Sequence, residues 1–500
     1  MRDKVRDKVW DKGRLRARDV LRPYYGSRMG IPKANELTTL FGGEWVVRPD
    51  ERADIATVVD DSRAVEPNSL FVAVKGLFAD GHRFAASAAQ AGASVVCVER
   101  TPSPNALSAL RSSHCGVWRV PDTLQAFHAL AAHHRCGVRN CAVVGLTGSS
   151  GKTSAKEMLA AILRRVAPGE VLWTEGNLNN HFGVPRTLFR LREGHRFAVV
   201  EMGTNQPGDI AQLAAMVKPD LGVITSIGAA HLEKLGSLDG VAREKSEILR
   251  ALSRSGVALV PGEAPRLDIL RAAAGGRKTV LFGRGQACDV RAEYAGWTGE
   301  GFGMALRWRA RPERDRTLVW PVGGAHQALN AAAAAAAATE LGVDMDDIVA
   351  GLADVRLPGM RTRTSRHGGV LWVNDAYNAN PDSMRAGLSL FAEIADREGA
   401  GRRVLVLGDM LELGNASEEE HDRLLDAARK HFPKAQIVAV GPRMSEAGRG
   451  GRADVCVASA AEARHALDGS LPQGTAVFLK GSRGMRLEEV LPEARRGRDG

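Results

Sequence analysis

Val143-Val144-Gly145-Leu146-Thr147-Gly148-Ser149-Ser150-Gly151-Lys152-Thr153-Ser154 is the stretch from which the fold is read. Its first four residues make a short buried strand, and residues 153–165 carry the apolar spacing of a helix. Between them, glycines let the backbone curl so that its N–H groups converge, and the helix start adds its positive dipole end. Lys152 supplies a point charge suited to the β- and γ-phosphates, and the Thr153 hydroxyl suits Mg²⁺. Gly148, Ser149, Ser150, Gly151, Lys152, Thr153 and Ser154 are therefore expected to bind ATP or GTP. A full phosphate-loop pattern has glycine where this chain has Leu146, so only its second half is matched.

Working outward, apolar strands over 197–201 and 221–226 are each followed by helix-like sequence. Strand alternating with helix argues for an α/β fold with a parallel sheet covered on both faces. Glu201 ends the first of these strands, where carboxylates of a parallel sheet face the ligand crevice. A close-packed alanine helix over 328–341 and a helix over 345–353 lead to the breaker Leu357-Pro358-Gly359. Strands over 370–373, 403–407, 436–440 and 476–479 then start a second doubly wound unit. Upstream, strands are expected over 55–59, 70–74 and 94–98, helices over 84–91 and 124–135, and looser chain over 103–115. The division expected is an N-terminal extension over 1–30 and domains over 31–137, 138–354 and 355–500.

The chain of 500 residues has a net charge of +10, which invites a nucleic-acid reading. Residues 1–30 hold three Lys, seven Arg and four Asp, and 495–500 hold three Arg and one Asp, leaving +2 for everything between. No domain has a basic stripe with interleaved aromatics, so no nucleic-acid partner is expected. No run of about 18 apolar residues exists, and no apolar segment follows the N-terminal charge, so neither membrane insertion nor a secretory signal is expected. The six cysteines lack Cys-x-x-Cys spacing and read as thiols of a reducing compartment.

Further stretches sharpen the reading. They are Thr174-Glu175-Gly176-Asn177-Leu178-Asn179-Asn180-His181-Phe182-Gly183-Val184-Pro185 and Asn374-Asp375-Ala376-Tyr377-Asn378-Ala379-Asn380-Pro381-Asp382-Ser383-Met384. Glu201-Met202-Gly203, Ala230-His231-Leu232-Glu233, Leu407-Gly408-Asp409-Met410-Leu411-Glu412-Leu413-Gly414 and Lys480-Gly481-Ser482-Arg483-Gly484-Met485 support them. With the Gly-Lys-Thr loop, these resemble the Mur ligases, ATP-dependent amide-forming enzymes of peptidoglycan precursor synthesis. The resemblance covers about residues 36–492. It is to those members that join D-alanyl-D-alanine to UDP-N-acetylmuramoyl-tripeptide through an acyl phosphate, releasing ADP and phosphate.

The resemblance implies a small α/β UDP-binding domain, a central P-loop ATPase domain with a mostly parallel sheet and a C-terminal Rossmann-like domain. It implies ATP and Mg²⁺ as cofactors and a cytoplasmic enzyme, expected to be a monomer. Ser62 and Arg63 would meet the uridine nucleotide, and Asn177 and Asn180 the nucleotide-sugar. Thr153, Glu201, His231 and Lys245 would serve the metal, with Lys152, His231 and Lys245 catalytic. Lys245 aligns with a lysine carbamylated in the family; a neutral amine near a metal can add CO₂ and become a carboxylate. Lys234 is a nearby alternative with less suitable spacing. Asn330 matches the adenine-side asparagine, and Arg361 and Asp375 match residues that close onto ATP. Tyr377, Asn378, Asn380, Lys480, Ser482 and Arg483 would face the substrates. Two departures lie near the expected nucleotide: His326-Gln327 where the family commonly has His-Asn, and Leu259-Val260-Pro261-Gly262 in place of a loop often containing Asn-Ala-Asp. A relative with another amine acceptor, of folylpolyglutamate type or a single-amino-acid Mur ligase, and a non-catalytic ATP-binding scaffold are the competing functions.

Overall fold

In the computed structural model, which describes residues 30–492 apart from 51, 52, 77, 78, 468 and 470, the decisive strand is Ala142–Thr147 and the helix after it is Lys152–Val166. The basic extension expected over 1–30 lies, but for Gly30, outside the described residues. The chain divides into two compact units, and the division passes through this strand. One unit holds the described residues up to Gly145 with Gly169–Met202 and Ala211–Asp220; the other holds Leu146–Pro168, Gly203–Ile210 and the chain from Leu221 onward.

The first unit is built on a five-stranded sheet. Thr57–Val59, Ser69–Val72, Ala93–Val98 and Gly116–Arg119 run parallel in that spatial order, and Glu44–Val47 closes the edge antiparallel to the last. Alternation assigns the two faces. Leu70, Val72, Val95, Cys97 and Trp118 enter one core with Phe127 and Leu130, whereas Phe71, Val96, Val98 and Val117 enter the other with Ala85, Ala88 and Leu110. Each fully buried large apolar side chain stabilises by about 1.5–3 kcal/mol relative to exposure. The stretch expected to be loose contains a helix, Pro104–Ser112. Ser103 caps it by accepting from Ala106 N, and Pro104 stands at the first turn, where its missing N–H costs nothing. In the same unit, Val171–Trp173 pairs parallel with Phe197–Glu201.

The second unit contains two sheets. Leu221–Ile224, Val257–Pro261 and Lys278–Gly283 run parallel, and Val290–Trp297 joins them before turning into an antiparallel meander with Phe302–Trp308 and Arg316–Trp320. Helix Lys152–Val166 is buried nearly all round, at Thr153, Ala155, Met158, Leu159, Ile162 and Leu163 among others, so it is apolar on more than one face. It packs beside the alanine helix, which starts at Ala325 rather than 328 and buries Ala331 to Ala338 completely or nearly so. Alanine there lets two helices approach closely. The other sheet has six strands, with Val370–Asn374, Thr475–Lys480, Arg402–Gly408, Gln436–Val440 and Val455–Val457 parallel and Arg363–His367 antiparallel at one edge. The mostly parallel sheets and the Rossmann-like last third agree with the α/β expectation.

Helix Met345–Ala353 meets Lys152–Val166 at Gly351, where an added Cβ would stand 2.5 Å from Ile162 Cα. Helix propensity favours Gly351→Ala by up to about 1 kcal/mol, whereas overpacking costs about 1–3 kcal/mol. The clash wins: G351A is expected to lower unfolding stability by about 1–2 kcal/mol in denaturant titration.

Candidate active site

The phosphate loop of the second unit is held from two sides. Ser149 N donates to Ser226 O at 3.0 Å, and Ser150 N donates to Ser226 Oγ at 2.8 Å. Thr225 Oγ1 donates to Ser150 O at 2.5 Å, and Gly228 N to Ser149 Oγ at 3.0 Å. The segment after strand Leu221–Ile224 thus fixes the loop's curvature. Gly151, at φ 81°, caps the helix in a left-handed conformation, and a Cβ there would stand 2.1 Å from Asn330 Oδ1. Gly148 has no more room: its Cβ would lie 2.0 Å from Thr225 Oγ1. The Lys152 ammonium reaches back across the loop to donate to Gly148 O at 2.7 Å.

Residues from the last third come to this loop. Arg361 donates to Thr153 Oγ1 at 3.0 Å, with its guanidinium carbon 4.1 Å from the centre of the Tyr377 ring. Stacking on an aromatic face orients a guanidinium and contributes about 0.5–2 kcal/mol. Asn380 caps helix Pro381–Arg397 through its side chain and donates its amide to Ser149 O at 3.3 Å. Asn330, 7% exposed, donates to Gln327 Oε1 at 2.9 Å, so the glutamine that departs from the family pattern is what orients it. A cavity of about 850 Å³ opens beside Gln327 and Arg361, with Phe302, Gly323, Leu390 and Arg397 in its wall.

Asp375 and Lys480 form a buried pair. The Lys480 ammonium, on a side chain only 4% exposed, donates to Asp375 Oδ2 at 2.6 Å and to the carbonyls of Asn378 and Asp375 at 3.1 and 3.3 Å. Its three protons are used to fix the loop that carries Tyr377 and Asn380. Asp375 also accepts from Thr362 N at 3.1 Å, which ties that loop to the residue after Arg361. Ser482 is buried and accepts from Leu411 N at 2.9 Å; Arg483 pairs with Glu488 at 2.5 Å. Burial pushes His326 down to about 4; the Lys480 and Arg284 charges act the same way and Asp375 opposes them.

His231 opens the short helix Leu232–Leu235 in a left-handed conformation, φ 55°. Its Nδ1 is 2.5 Å from Glu412 Oε2, and that contact holds Glu412 below the ordinary glutamate range. A ring that donates from Nδ1 presents the Nε2 lone pair to a metal. Lys245, 1% exposed, lies in helix Leu238–Arg250. Burial pushes its ammonium well below the usual lysine range; the Lys152 charge adds to the fall and Glu244 opposes it. Glu244 itself accepts from Gly208 N at 2.7 Å and Ile210 N at 2.8 Å. Among the described residues no three His, Cys, Asp or Glu side chains cluster as a metal site. What this unit offers a metal is of other kinds: the Thr153 hydroxyl oxygen, the His231 imidazole, and a Lys245 amine whose burial favours the neutral form that can add CO₂ and become an oxygen ligand.

In the first unit, Glu201 is 1% exposed and accepts from the Asn179 amide at 2.8 Å, while its N–H donates to Thr174 Oγ1. Asn179 is the residue of the Asn-rich loop that sequence reasoning passed over. Of the two it named, Asn180 caps the turn by accepting from Phe182 N and Gly183 N, and Asn177 O accepts from Asn179 N. Ser62 and Arg63 lie in a short turn, Ser62–Ala64, where Asp61 accepts from Arg63 N and from its guanidinium. Arg186 grips the neighbouring Asp60 with two bonds, at 2.8 and 2.9 Å.

The sequence matches three family models, described as Mur ligase family, catalytic domain (residues 54–135), Mur ligase middle domain (146–338) and Mur ligase, glutamate ligase domain (360–483). A Bacillus subtilis protein named UDP-N-acetylmuramoyl-tripeptide–D-alanyl-D-alanine ligase is 33% identical over 89% of this chain and 94% of its own. This chain belongs to the Mur ligase family. An Escherichia coli protein of the same name is 39% identical over 79% of this chain and 83% of its own. Among solved structures, the Mur ligase MurF from Acinetobacter baumannii superposes with a TM-score of 0.82 at 35% identity, covering 93% of this chain and 98% of that one. A Thermotoga maritima MurF ligase in complex with ADP gives 0.75 at 27% identity, over 87% of this chain and 96% of its own. Among the described residues no helix is long and apolar enough to cross a membrane.

Two outcomes are expected. Gly151→Ala forces Asn330 off the loop, and overpacking of about 1–3 kcal/mol corresponds to about a 5- to 150-fold rise in the Kd for ADP by calorimetry. Asp61 is held down at about 2, the Arg63 side-chain bond being the largest cause. Its contribution to stability is therefore present above pH 4 and lost as pH falls from about 4 toward 2. In Arg63→Ala, the carboxyl titration followed by NMR should rise from about 2 toward the ordinary aspartate value without reaching it, because the residue-63 N–H and Arg186 remain.

Proposed function

We propose that this chain joins D-alanyl-D-alanine to UDP-N-acetylmuramoyl-tripeptide, forming the pentapeptide precursor of peptidoglycan in the cytoplasm, as a monomer, with release of ADP and phosphate. The observation that carries this reading is the meeting of Arg361 with Thr153, which brings a last-third cation onto the phosphate loop. An amide cannot form directly from a carboxylate, because the oxygen would have to leave as a dianion. The substrate's terminal carboxylate therefore attacks the γ-phosphorus of ATP, giving an acyl phosphate and ADP. The dipeptide amine then adds to the acyl carbon, loses a proton, and the tetrahedral intermediate expels phosphate.

Lys152, the loop N–H groups and Arg361 stabilise charge on the phosphoryl group in flight. Asn330 and Gln327 line the nucleotide's side of the loop, and the adjoining cavity has room for a nucleoside. Asp375, Tyr377, Asn378, Asn380 and Lys480 hold the last third against the loop, so that amine and acyl phosphate meet in one orientation. Ser482 and Arg483 are assigned to the acceptor side, and Ser62, Arg63, Asn177 and Asn180 to the UDP-sugar. Thr153, Glu201, His231 and Lys245 would hold Mg²⁺, whose charge would offset the repulsion between the two anions, phosphate and carboxylate. Lys245 enters that set as a carbamate, formed when its neutral amine adds to CO₂ and gives up a proton. The functional segments are 31–137 for the UDP-substrate, 138–354 for ATP and 355–500 for closure.

Phosphate release and product mass are to be measured with UDP-N-acetylmuramoyl-tripeptide, with and without D-alanyl-D-alanine. Phosphate release that depends on the dipeptide, with a pentapeptide product, is expected; nucleotide binding without dipeptide-dependent release would refute the assignment. Lys152→Ala should lower kcat by about 10³-fold or more.

A further inference from the structure

The loop that carries Glu412 is fixed at every residue around it. Asp409, 1% exposed, accepts from Met444 N at 2.7 Å, and its own carbonyl accepts from Ser482 N at 3.0 Å. Met410 N donates to Nε2 of the buried His421 at 2.9 Å, and Leu411 N to Ser482 Oγ. Glu412 then takes a left-handed conformation, φ 67°, which turns the chain toward the short helix after His231. Two contacts follow, one through the backbone and one through the side chain. Glu233 N donates to Glu412 O at 3.1 Å, and the carboxylate takes His231 Nδ1 at 2.5 Å. Gly414 lies against the same helix, where a Cβ would stand 3.1 Å from Glu233 Cα.

A left-handed conformation in a non-glycine residue costs about 1–3 kcal/mol and persists only where its surroundings impose it. Here both partners of one hydrogen bond adopt it, His231 at φ 55° and Glu412 at φ 67°. A surface ion pair chosen by chance would not need two such residues. The Glu412 carboxylate holds the His231 proton on Nδ1, so the ring's other nitrogen is the one available to a ligand. Since Glu412 belongs to the last third and His231 to the segment after the phosphate-loop region, the bond exists only when the last third is docked.

We propose that Glu412 is a positioning residue, contributed by the last third of the chain, which fixes the tautomer and aim of His231 and so ties docking of that third to metal affinity at the phosphate site. This rests on the assignment of His231 to Mg²⁺ made above.

The test combines two measurements that do not use turnover. In ¹⁵N-labelled protein with ADP, at a pH where the ring is neutral, the His231 ring nitrogens are identified by their loss in His231→Asn. The wild type should carry its proton on Nδ1. Glu412→Ala should release it to a tautomer mixture, and Glu412→Gln, whose amide oxygen still accepts, should keep it on Nδ1. Mn²⁺ is then titrated into the ADP complex and free ion read by electron paramagnetic resonance. The Kd should rise about tenfold in Glu412→Ala and much less in Glu412→Gln. Retention of the Nδ1 proton with unchanged Mn²⁺ affinity in Glu412→Ala would overturn the proposal, since a merely structural role moves neither. Unchanged melting temperatures identify folded variants. If wild type shows the tautomer and the Mn²⁺ effect but no dipeptide-dependent phosphate release, the functional assignment fails and this one stands.

Discussion

The close approach of Gly151 to Asn330 is the constraint around which the second unit is organised. A loop that must curl around phosphate oxygens needs its backbone within reach of the helix facing it, and here no side chain fits between them. That distance is set by the packing of helix Lys152–Val166 on the alanine helix, whose eight consecutive alanines are each at most 1% exposed. Larger residues would move the helices apart and take Asn330 away from the loop. Gln327, one turn earlier, holds the Asn330 amide in place. Local curvature, helix packing and a side-chain bond therefore act on the same few ångströms.

A second layer of order comes from the last third. Arg361, Asn380 and the Asp375–Lys480 pair form a continuous set of contacts that ends on Thr153 and Ser149. Lys480 is central to it because three acceptors surround one buried ammonium; removing one partner of a buried pair costs about 3–5 kcal/mol. Basic residues near the loop are in this way assigned to phosphate or to internal order. The chain's excess charge is concentrated in the terminal segments.

Much of this was legible in the sequence because it is local. The strand, Gly-rich turn and helix follow from periodicity and glycine, and the Asn374 to Met384 motif holds a Tyr, an Asn cap and a Pro at a helix start. Other features were local but quieter: Ser103-Pro104 is a helix start hidden in polar sequence, and three asparagines in four positions gave no sign that Asn179 is the one that reaches Glu201. What could not be read is long-range. Glu412 and His231 are far apart in the chain, and no period or spacing relates them. Gln327 was missed for a local reason: the expected helix began at 328, so Gln327 and Asn330, three residues apart, were not placed on one helical face.

The decisive chemical point is whether the carboxylate is activated by phosphorylation before the amide forms. The tripeptide substrate with ¹⁸O in its terminal carboxylate, incubated with ATP and D-alanyl-D-alanine, tests this in the released phosphate. The acyl-phosphate route predicts that each phosphate carries one labelled oxygen taken from the carboxylate. Amide formation with unlabelled phosphate would contradict it.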